Sequence, residues 1–104
     1  MQGIWHKTTS SGQEFRVVLD FDGSVFEKRD DMFDSEMWEG RWRSLPDGRV
    51  ELKIGAYTSV LQADVMHVRR GLRRHEIKLL RGTEYCNGEV HGTVTLRFEG
   101  GMSA

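Results

Sequence analysis

The sequence predicts an all-β domain, a small antiparallel up-and-down β-barrel of seven or eight strands, with a β-sandwich as the rival arrangement. Three observations predict it. Apolar residues recur at every second position in one short run after another. Glycine-bearing turns separate the runs at intervals of roughly 8–12 residues. No stretch joins helix caps to a 3.6-residue period over more than about two turns. A meander of neighbouring hairpins closed on itself satisfies its sheet edges without any helix.

The first run covers residues 3–9. The second, 14–21, alternates Phe15, Val17, Leu19 and Phe21 with Arg16, Val18 and Asp20. A third falls at 24–29. The fourth, 37–44, alternates Trp38, Gly40 and Trp42 with Glu39, Arg41 and Arg43. The fifth, 49–54, alternates Val50, Leu52 and Ile54 with Glu51 and Lys53. The sixth, 57–68, puts Ser59, Leu61, Ala63, Val65 and His67 on one face and Val60, Met66 and Val68 on the other. A strand of that kind is covered on both sides or bent. In the seventh, 73–81, Ile77 and Leu79 alternate less cleanly. In the eighth, 90–99, Val94, Leu96 and Phe98 alternate with Thr95, Arg97 and Glu99. Asp22-Gly23, Pro46-Asp47-Gly48, Arg70-Gly71 and Asn87-Gly88 supply the turn chemistry between runs. Asp30 to Trp38, with Phe33 and Met37 four apart, is the best helical candidate and equally a loop.

With 104 residues, 38% of them hydrophobic, the chain holds one domain spanning residues 1–104 and is too apolar for a disordered segment. No apolar run approaches the roughly 20 residues of a membrane-spanning helix. The single cysteine, Cys86, forms no internal disulfide, and no signal-peptide pattern opens the chain, so the sequence reads as cytoplasmic. One thiol and four scattered histidines show no metal-ligand spacing, and no cofactor motif is present. Asp20-Phe21-Asp22-Gly23 lacks the later positions of a calcium loop and reads as a hairpin turn.

An internal echo runs through the first half. Gly3-Ile4-Trp5 and Gly40-Arg41-Trp42 are each followed by a Gly-containing turn and an alternating strand. A glycine beside a tryptophan lets a strand bend while the ring plugs the interior. Gly3-Ile4-Trp5 at the start of a small all-β chain resembles the opening motif of the lipocalins and the wider calycin group. That resemblance implies a barrel closed at one end by Trp5, with an arginine of the last strand over the ring. Arg97, in Leu96-Arg97-Phe98, matches that arginine. Thr83-Glu84-Tyr85 is similar in residue type to the second lipocalin motif, but lies closer to the last strand. The chain is also short for the family.

Three functions from different classes follow. The first, carried by the resemblance, is binding of a small apolar or amphipathic molecule inside the barrel, against Phe15, Leu19, Trp42, Tyr57, Leu61 and His67. The second is a partner- or anion-binding module. Arg69, Arg70, Arg73 and Arg74 place a charge of +4 on one hairpin tip, while residues 30–36 carry four acids and no base. These opposite charges cancel in the net of -1 and suggest self-association. Aromatic interleaving, which single-strand binding requires, is absent around the tip, so nucleic acid ranks below the other partners. The third is a small barrel enzyme using His67 and Tyr57, which share a strand phase. It ranks last, since no Ser-His-Asp, Cys-His or phosphate-loop pattern accompanies them.

Overall fold

The computed structural model describes residues 2–29 and 37–101. It is a closed barrel in which eight antiparallel strands follow one another in chain order. The strands are β1 (Gly3–Thr9), β2 (Glu14–Leu19), β3 (Ser24–Arg29), β4 (Trp38–Ser44), β5 (Val50–Ile54), β6 (Tyr57–Arg70), β7 (Arg73–Cys86) and β8 (Glu89–Gly100). Each pairs with the next, and β8 returns to β1, with Trp5 opposite Phe98 and Lys7 opposite Leu96. The acidic segment 30–36 and most of the helical candidate lie outside the described residues.

The period-two pattern determines what the barrel encloses. Side chains alternate between faces along a strand, and residues directly opposite on neighbouring strands share a face. Gly3, Trp5 and Lys7 therefore point inward together, as do Val17 and Leu19, Val25 and Glu27, Val50 and Leu52, and Val94 and Leu96. Val17, Leu19, Val25, Leu61 and Leu96 are wholly buried in one cluster with Trp5, Val50, Leu52, Leu80 and Val94. Burial of each large aliphatic side chain contributes on the order of 1.5–3 kcal/mol.

The two Gly-x-Trp units behave alike. A side chain at Gly40 would overlap the Lys53 carbonyl oxygen, and one at Gly3 would press into the Phe98 ring and the Gly100 carbonyl. Strand crowding thus requires glycine at both positions. The companion rings fill space: Trp5 is buried, and Trp42 packs on the core while its indole N–H donates to the Asp20 carbonyl at 2.6 Å.

Two expectations are corrected. β2 ends at Leu19, and Phe21 lies in the following turn, 79% exposed. There the Gly23 N–H donates to the Asp20 carbonyl and the Asp22 carboxylate accepts from the Ser24 N–H, which breaks the strand phase one residue after Leu19. Arg97 does not cover Trp5. The inward phase of Val94, Leu96 and Phe98 turns Arg97 outward, and Phe98 packs edge-on against the indole at 5.1 Å between ring centroids.

Candidate functional site

The barrel core is filled around Trp5, Leu19 and Leu80, with a groove of about 400 Å³ beside Trp5 and Phe98 at that end, and the other end is open. At the opposite mouth, where β1 ends and β6 begins, lies a cavity of about 430 Å³. Its walls are the apolar and aromatic Phe15, Trp38, Ile54 and Tyr57, with Thr9, Arg29 and Glu39 among its polar groups. The size falls within the range of small-molecule sites.

Charge lies on its floor. Lys7 Nζ donates to Glu27 Oε1 at 2.6 Å and to Glu84 Oε2 at 2.9 Å, and all three side chains are nearly buried, at 7%, 11% and 7% exposure. The same ammonium stands 5.0 Å from the centre of the Phe15 ring. The second oxygen of Glu84 lies 3.1 Å from His91 Nδ1, and the His91 ring meets Tyr57 edge-on at 5.5 Å. Three strands that are distant in sequence thus bring a cation between two carboxylates, with an imidazole behind one of them.

Local irregularity aims the histidine. Glu84 pairs with Gly92 and Tyr85 with Val90, so His91 is an extra residue in β8 without an opposite number. A bulge of this kind redirects a side chain, and here it leads to Glu84.

The titration behaviour follows from these contacts. Burial pulls the Lys7 pKa down, but the charge of Glu27 and the hydrogen bonds to both carboxylates outweigh it, leaving the ammonium above its ordinary value. Burial pushes Glu84 up, but Lys7 and His91 outweigh that and hold it below the ordinary carboxylate value. Both directions keep the Lys7–Glu84 pair charged near neutral pH. The neighbouring Cys86 side chain is the main cause of a raised Tyr57 pKa.

Only part of the expected site comes together. Phe15 and Tyr57 line the cavity. Leu19 and Leu61 lie in the filled core, and Trp42 packs against that core. His67 shares the phase of Tyr57 along β6 but is exposed, opposite Glu76, beyond the point where β6 leaves the barrel. It lies outside the cavity lining, and the strand between them holds it roughly 33 Å from Tyr57, too far for an acid–base pair. Arg69, Arg70, Arg73 and Arg74 gather around the β6–β7 turn, all exposed. Cys86, a free thiol, closes β7 opposite Tyr57.

Lys7, Glu27, Glu84 and His91 were not anticipated. The signal for the first three is strand phase. Lys7 lies two residues after Trp5, Glu27 two after Val25, and Glu84 four after Leu80, all on the inward face. Charged residues on a core phase at one end of three strands indicate a polar floor. His91 carries no such signal, since a bulge sets its direction. Comparisons with family models, curated proteins and solved structures found no match to this chain.

Proposed function

We propose that the protein binds a small amphipathic molecule in the open mouth of the barrel, as a lipocalin-like binding protein would. The aromatic wall of Phe15, Trp38 and Tyr57 takes the apolar body, and the Lys7–Glu27–Glu84 floor faces the polar head. The observation that carries this reading is a buried ion network at the base of an apolar-walled cavity of ligand size. Such a network is no better for stability than a well-packed apolar core. The filled half of this same barrel shows that the chain builds such a core where no polar floor intervenes.

Trp38 provides the test, because it is the tryptophan that lines the cavity, whereas Trp5 and Trp42 belong to the core region. Titration with decanol, decylamine and decanoic acid below their aggregation limits reads the site through tryptophan emission. At least one of the three is expected to give a saturable change that Trp38→Phe removes. Saturable changes with none of them, or a response unaltered in Trp38→Phe, would defeat the proposal.

A further inference from the structure

The second feature lies beyond the opposite end of the barrel. β5 pairs with β6 only as far as Leu61, and β8 pairs with β7 only from Leu79 onward. Residues 62–70 and 73–78 therefore continue as a two-stranded ribbon with neither edge paired to another strand among the described residues. At about 3.3 Å per residue, the nine residues of its first strand run for roughly 30 Å, the first of them beside the barrel and the last at the tip.

Its tip carries a concentrated positive charge. Arg69 stands opposite Arg74, and Arg70 opposite Arg73. Like charges directly opposite in a sheet are destabilising. None of the four has an ion-pair partner among the described residues. Strand alternation puts the first pair on one face of the ribbon and the second pair on the other. The whole chain carries a net charge of -1, so everything outside these four arginines sums to -5. The turn adds Gly71, at φ 61°, and Leu72, a large apolar side chain 98% exposed at the apex.

We propose that this ribbon is an arm that inserts its tip into a groove of duplex DNA. A groove has phosphates along both walls, which suits cations on both faces of a narrow ribbon. A membrane or an acidic protein surface presents its charge on one side only. Duplex binding also requires no stacking aromatics, unlike single-strand binding. Leu72 is placed to wedge between base pairs, as exposed apolar side chains do in proteins that kink DNA.

Fluorescence anisotropy with a labelled 20-base-pair duplex of mixed sequence tests this. Four phosphate contacts give a slope of about -3.6 in log affinity against log salt, or roughly 150-fold weaker binding at 200 than at 50 mM NaCl. The quadruple variant R69Q/R70Q/R73Q/R74Q is expected to lose binding and keep or raise its thermal midpoint, since two like-charge pairs disappear. Leu72→Ser is expected to keep the salt slope while reducing DNA bending, read by energy transfer between the duplex ends. The proposal is overturned if the intact protein does not bind duplex at 50 mM NaCl, or if the quadruple variant still binds. Tighter binding to phosphatidylserine vesicles or polyglutamate than to duplex would also overturn it. Bending unchanged in Leu72→Ser would strike out the wedge.

Discussion

Lys7→Met removes the cation that neutralises two nearly buried carboxylates while keeping a side chain of similar length. Glu27 and Glu84, 11% and 7% exposed, then face one another across the cavity floor, with His91 beside Glu84. Removing one partner of a buried ion pair costs about 3–5 kcal/mol. The open mouth admits water, so the lower end applies, at about 3 kcal/mol. For a domain near 100 residues that lowers the thermal midpoint by roughly 12–24 °C. The pH dependence is a sharper signature. In the parent, Glu84 titrates below its unfolded value. Its contribution is present above about pH 4.5 and fades as pH falls through the folded value. In the variant the cation is gone and burial raises the folded carboxylate pKa. Protonation then relieves the floor, and the deficit shrinks between pH 7 and pH 4. At the other extreme, Lys7 titrates above 10.5, so its contribution is full below that pH and is lost as pH rises through the folded value. Urea unfolding at pH 7 and pH 4 measures the deficit directly. The triple variant K7M/E27Q/E84Q should recover most of the loss, because no uncompensated charge remains. A deficit under about 1 kcal/mol at pH 7, or one equal at both pH values, would refute the view that these three side chains form a buried charged floor.

Two further outcomes test the packing. Gly40→Ala forces a methyl group into the Lys53 carbonyl, so β4 and β5 must separate. A loss of about 1–3 kcal/mol is expected in chemical denaturation, and a neutral effect would show that the approach is not tight. Trp42→Phe keeps an aromatic ring but deprives the Asp20 carbonyl of its 2.6 Å donor. Equilibrium unfolding should report a loss of about 1–2 kcal/mol, with cavity binding unchanged.

Most of the fold was legible because a barrel of hairpins writes itself into the sequence locally. Asn87-Gly88 illustrates this: both residues take the positive φ that such a turn needs, at 52° and 83°, and β7 and β8 pair on either side. Phase alone did not show where a strand stops belonging to the barrel. Leu61 and His67 share a face of β6, yet Leu61 is wholly buried and His67 is exposed, because β5 is only five residues long. The end of a neighbouring strand, a property of pairing, separates them. Arg97 shows the opposite limit, since its alternation with Leu96 and Phe98 already directed it outward, against what the family resemblance implied. For the cavity, Phe15 and Tyr57 could be found from apolar phase. Lys7, Glu27 and Glu84 were overlooked because charged residues in a strand are ordinarily read as its wet face. Here they occupy the dry face, three strands deep, and compensate one another across up to 77 positions of sequence.

A residue-resolved titration would test most directly whether the open mouth is the binding site. Heteronuclear NMR spectra recorded while decanol, decylamine or decanoic acid is added should show saturable shifts at Lys7, Phe15, Trp38, Tyr57 and His91, with Trp5, Phe98 and the β6–β7 tip unmoved. Shifts centred on the Trp5–Phe98 end or on the tip, or no saturable shifts with any of the three, would contradict it.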